Sequence, residues 1–186
     1  IRMYSIKQRV LFILVLCVLQ GCAVTNIPLK EMTYSSSEIP TVQWKTIVLV
    51  SFSDARGVQG IGYTNDGAEI VAKGDISMWA TKNLASVLQK AGYRVSIASS
   101  LEQAQRENAS YIITGAIDML HLEVASFSST ASVKVTIQVM APGGKTISET
   151  FSASRSAVTN PFGDTEAEVV LESLLQAYSG ITSLLR

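Results

Sequence analysis

Three places in this 186-residue sequence carry side chains that could do chemistry: Cys22, the Asp54-Ala55-Arg56 triplet, and His121, the sole histidine. Cys22 follows "LFILVLCVLQG", and its thiol is a nucleophile able to take up an alkyl or acyl group. Gly21 before it is small enough for a peptidase cleft. The apolar run, Val10 to Leu19, is ten residues long and follows Lys7 and Arg9. A spanning helix needs about 20 apolar residues, so the run is too short to cross a bilayer. A basic start, a short apolar core and small residues at its end make a secretory signal, which assigns residues 1–21. Met3 is the expected start of that signal. Cys17 leaves with the signal, so Cys22 has no disulfide partner in the mature chain. In an oxidising compartment a lone thiol is a liability unless it is modified.

Leu19-Gln20-Gly21-Cys22 resembles the lipobox of bacterial lipoproteins. That resemblance implies S-diacylglycerol and N-acyl groups on Cys22, and no other cofactor. One acyl chain anchors marginally and two or more anchor firmly, at ~0.8 kcal/mol per buried CH2. The residue after the Cys is Ala23 rather than Asp. By enteric-type rules this implies the outer membrane, facing the periplasm.

Asp54, Arg56 and Gly57 make a possible loop site at the end of the first strand. Strand-end loops are common ligand sites, and the forked donors of Arg56 suit an anionic group. The plainer reading is that Asp54 forms a turn and pairs with Arg56. "GVQGIG", Gly57 to Gly62, precedes a short strand rather than a helix, so it reads as a turn and not a phosphate cradle. A metal site wants three or four convergent ligands, and His121 has no second histidine. Strict strand alternation puts Asp118 on the face opposite His121. No G-x-S-x-G setting activates a serine. The chain reads as a non-enzyme.

The mature chain, 165 residues from Cys22, holds twelve basic and fifteen acidic residues, a net charge of −3. The basic residues are scattered singly, which argues against nucleic acid and against electrostatic docking on anionic lipid.

These residues need elements to position them. Residues 22–43, with Ser35-Ser36-Ser37 and two prolines, read as a flexible tether, and residues 44–186 as a single domain. A chain starting near Ser37 is therefore expected to be as heat-stable as the whole protein. Trp44 to Phe52 reads as a central strand with both faces apolar. Ile61–Thr64 and Glu69–Ala72 form a hairpin about Asn65-Asp66-Gly67. A helix capped by Asp75 runs to about Ala91, with Ile76, Trp79, Ala80, Leu84, Val87 and Leu88 on one stripe. Then come a strand over Tyr93–Ala98, a short helix over Leu101–Asn108 and a long strand over Tyr111–Val124. In "SVKVTIQV" Val133, Val135, Ile137 and Val139 alternate with polar residues, giving a strand with one dry face. "TISETFSASRS" follows as another. A last helix begins near Asp164, with Thr165 and Glu168 as a capping box. The fold class is α/β (α+β): a two-layer sandwich, with a mixed, mainly antiparallel sheet, a C-terminal β-meander and amphipathic helices on one face.

The series resembles the YajG-type lipoproteins of Gram-negative bacteria. The matching stretches are Leu19 to Cys22, Phe52 to Arg56, Gly60 to Gly67, Ala91-Gly92-Tyr93, Ala109 to Gly115 and the C-terminal helix. The resemblance implies location rather than chemistry. The expectation is a lipid-anchored, non-enzymatic accessory of envelope assembly or maintenance, with another envelope protein as partner. The alternative is a module for a small or lipidic ligand held between the helices and the Asp54–Gly67 loop, near Tyr63 and Trp79. Oligomeric state is not readable from the sequence.

Overall fold

The computed structural model describes residues 24–32, 45–158 and 165–185. The signal run, Cys22 and residues 33–44 lie outside them.

The backbone of the sheet is β7 (Tyr111–Val124), β8 (Ser128–Met140) and β9 (Thr146–Val158), an antiparallel meander. Its period-two pattern holds: Val133, Val135, Ile137 and Val139 are buried, while Lys134 and Gln138 between them are exposed. On the outer face Thr130, Ser132 and Thr136 of β8 bond across to Ser156, Ser154 and Thr150 of β9, at 2.8–2.9 Å. The free edge of β7 takes three short strands end to end, all parallel to it. These are β2 (Thr46–Val50), β3 (Ser53–Asp54) and β4 (Gly60–Thr64). β6 (Arg94–Ala98) extends β2, and β5 (Glu69–Lys73) extends β4 as the expected hairpin. Five of the eight strand pairs are parallel, yet the two long antiparallel pairs hold most of the paired residues.

Two helices cover one face. α1 (Ile76–Lys90) starts where Asp75 accepts the Met78 amide at 3.0 Å. It stops at Gly92, whose φ of 92° a side chain would resist. The helix between β6 and β7, α2 (Leu101–Arg106), has Ser100 as its cap. α3 (Glu166–Tyr178) carries the Thr165–Glu168 capping box, and a 3-10 turn over Ile181–Leu185 follows it. α1 and α3 bury Leu84, Leu88, Val169, Val170 and Leu174 against Ile47, Leu49, Ile113 and Ile117. Tyr178 ties the two helices together, its hydroxyl donating to the Ala80 carbonyl at 3.0 Å. Its full burial raises its pKa far above the usual phenol range.

α2 lies elsewhere. Ala104 packs with Val48 and Ala98 in a second small core. Val48 alternates with Ile47 and Leu49 along β2, so α2 covers the opposite face. The long helices share one face as expected, and the short one explains why β2 is apolar on both sides.

The expected tether is corrected in part. Val24–Pro28 is a strand, β1, running parallel to β5. Ile27, its fourth residue, is buried. The chain beyond it is held to the helices. The Trp79 indole donates to the Lys30 carbonyl at 2.7 Å, and the Met32 amide donates to Asn83 at 2.8 Å. Lys30 pairs with Glu168, and Lys82 with Glu31. β1 escapes a pattern reading because only one of its residues points into the core.

Candidate functional site

Two irregularities shape a cleft on the outer face. The first is a bulge in β7. Ile117 pairs with Val135 but Met119 pairs with Lys134, leaving Asp118 as an extra residue. The bulge overturns the strict alternation expected along this strand. Asp118 and His121 come to the same outer face, where Asp118 accepts a hydrogen bond from Thr136 at 2.7 Å. A sequence signal existed: the buried residues Ile117 and Leu120 are three apart, which no unbroken strand allows on one face. The second irregularity is a register shift in β4 between Gly60 and Gly62. Gly62 is pressed against β7, and a Cβ there would lie 1.7 Å from the Leu122 carbonyl oxygen.

Between these bulges lies an open cleft of about 340 Å³. Its walls include Val58, Gly60, Tyr63, Glu69, Met119 and His121. Val58, Tyr63 and Met119 are 63%, 58% and 40% exposed, an apolar cluster facing solvent. Glu69 and Asp118 lie in its lining with Arg56, which Asp54 pairs, and exposed Lys134 of β8 stands opposite Met119. His121 lies 3.6 Å from Glu123, both exposed. Among the described residues no three His, Cys, Asp or Glu side chains converge as a metal site would require.

The loop between β3 and β4 closes one end of the cleft, and here Asp54, Arg56 and Gly57 find their places. Arg56 donates from Nε and Nη2 to the two carboxylate oxygens of Asp54, each at 2.8 Å. Its Nη1 reaches the Gly60 carbonyl at 3.2 Å and its amide donates to Asp54 Oδ1. The Arg56 side chain is only 3% exposed. The Arg56 hydrogen bonds hold the Asp54 carboxyl below the usual range, against the opposing effect of partial burial. This geometry matches the turn-and-pair reading: the fork that an anion would need is already occupied. Gly57, with φ of 71° and open space around it, serves the turn itself.

Trp79 and Tyr63 do not share a site. Trp79 is buried in the helix–sheet core, while Tyr63 is exposed at the cleft. α1 and α3 pack on the inner face, whereas the loop residues Arg56, Val58, Gly60 and Gly62 line the outer cleft instead.

No family model matches this chain, and no curated protein does either. Solved structures do. Protein XCC0632 from Xanthomonas campestris, of family DUF330, is 11% identical, with a TM-score of 0.56 over 86% of this chain and 94% of that one. The PelC dodecamer from Paraburkholderia phytofirmans is 19% identical, with a TM-score of 0.49 over 75% and 93%. Lipoprotein GNA1162 from Neisseria meningitidis is 14% identical, with a TM-score of 0.41 over 75% and 99%. No match specific to the YajG-type family stands among them. At these identities the likeness to XCC0632 is one of fold alone, the other two are too loose to argue from, and the fold is what the comparisons show.

Proposed function

We propose that this chain is a lipoprotein, held through lipidated Cys22 on the periplasmic face of the outer membrane, that acts without catalysis by binding another envelope protein. The location rests on the lipobox, Leu19 to Cys22, behind a short basic and apolar signal. The binding role rests on one observation, the open cleft flanked by exposed Tyr63, Met119 and Val58. Aromatic residues and Met are the side chains enriched in interface cores, with polar groups at the rim. The partner it suits is a protein segment with an apolar anchor and polar neighbours of both signs, met by Glu69, Asp118 and Lys134 around the cleft.

Photo-cross-linking from position 63 in intact cells tests the role. A defined partner band that disappears with Met119→Asp supports it. Cross-links spread over many proteins, or none above background, count against it. A second reading, a module for a small or lipidic ligand, draws on the same cleft, since the β3–β4 loop overhangs it. Native mass spectrometry of protein from its own membranes separates the two. A copurifying ligand mass lost on Met119→Asp would favour the ligand.

A further inference from the structure

Of the five most exposed large apolar residues described, Val58 and Tyr63 border the cleft, Tyr63 beside the end of β4; the other three lie along this same end of the sheet. They are Val24 (51%), Phe127 (77%) and Val158 (65%). The strand register places them there. β1 and β5 both start at this end, where Val24 pairs with Glu69. The β4–β5 turn closes it, and Thr64 of β4 pairs with Val124, the last residue of β7. Val124 pairs with Ser129 beyond the Phe127 turn, and Ser128 pairs with Val158 at the end of β9. The rim thus crosses six strands from β1 to β9. At a strand spacing near 4.8 Å it is about 24 Å wide laid flat.

Val24 is also two positions after Cys22. Two residues of chain reach at most about 7 Å. A lipid on Cys22 therefore enters the bilayer beside this rim, not at the far end of a 20-residue tether.

We infer that the rim carrying Val24, Phe127 and Val158 is a membrane-contact edge, seated on the bilayer into which the chain's own lipid inserts. This rests on the reading of Cys22 as lipidated. The charge at this end defines the kind of surface. Asp66, Glu69 and Glu123 stand there, and the strand ends and turns of the rim carry no Lys or Arg among the described residues. The contact is apolar and needs no anionic lipid, unlike a polybasic docking site. It fixes the orientation of the domain. The β8–β9 turn, around Pro142 to Lys145, points away from the bilayer, and the cleft opens sideways close to the membrane surface.

The test uses full-length protein matured in its own cells and reconstituted in phosphatidylcholine vesicles with brominated acyl chains. Asn65→Cys on the rim turn or Lys145→Cys at the opposite end carries an environment-sensitive fluorophore. Quenching of the label at position 65 but not at 145 is expected. Phe127→Asp with Val158→Asp should then cut quenching at 65, while Ile97→Asp, an exposed apolar position on β6 away from the rim, leaves it unchanged. Equal quenching at both labels, or equal loss with Ile97→Asp, on protein whose mass shows an acylated Cys22, overturns the inference and leaves the anchor standing. An unacylated Cys22 mass removes both. Quenching at 65 that requires anionic lipid would overturn the apolar contact.

Discussion

Gly62 is where single-residue identity matters most for the cleft. A methyl group there would lie 1.7 Å from the Leu122 carbonyl oxygen, and backbone cannot yield as a side-chain tip can. Gly62→Ala is expected to cost about 3 kcal/mol or more by forcing β4 away from β7. Gly67, with φ of 82° but open space around it, should cost only about 1–2 kcal/mol as Ala, from backbone strain. Urea midpoints for the two variants check the ordering, and a Gly62→Ala loss no larger than that at Gly67 would deny the close approach. Other residue-level features were readable beforehand. Asp54 does pair with Arg56, because a carboxylate at a strand end and a guanidinium two residues on can close on each other. The shared face of Asp118 and His121 escapes a strict period of two, because the β7 bulge shifts the phase and leaves only the three-residue spacing of Ile117 and Leu120 as its trace in the sequence.

At the scale of elements, the long periodic segments announced themselves. α1, α3 and β8 each carry enough apolar residues in register for the period to show. β1 carries one, Ile27, and draws its pairing from the edge of β5. Propensity cannot find such a strand, since what holds it is a partner distant in sequence. It follows that a chain beginning near Ser37 is not as stable as the whole. It loses Ile27 from the core and the Trp79–Lys30 and Asn83–Met32 bonds. The expected loss is roughly 3–5 kcal/mol, lowering Tm by roughly 6–20 °C for a chain this size. Differential scanning calorimetry of the two forms decides it, an unchanged Tm meaning that β1 is idle.

The same docking has a pH signature. Hydrogen bonds from Lys30, then from the Thr165 amide and hydroxyl, hold Glu168 down from 4.5 to about 2. As pH falls through 4.5 the unfolded chain takes up a proton that the folded chain refuses until about pH 2. The stabilisation is fully present above that window and is lost as pH falls across it. Glu168 is only half-buried, so solvent and salt weaken the effect. The Tm gap between wild type and Glu168→Gln should accordingly shrink between pH 6 and pH 2. A gap that stays constant would mean that Glu168 acts only through packing.

For the whole molecule, architecture was more legible than attachment. Two amphipathic helices and a meander imply a two-layer sandwich, and the fold has that form. A 20-residue tether would have let the domain drift roughly 25 Å from its anchor. Strand β1 removes that freedom and makes the position of Cys22 part of the geometry of the domain. Location and orientation therefore both depend on the chemistry of one residue. The direct test is the intact mass of the protein extracted in detergent from the membranes of its own cells. The predicted result is a chain beginning at Cys22 and carrying diacylglycerol and acyl groups, with Cys22→Ser retaining its signal and missing the lipid. A wild-type chain whose Cys22 is an unmodified thiol would contradict the account.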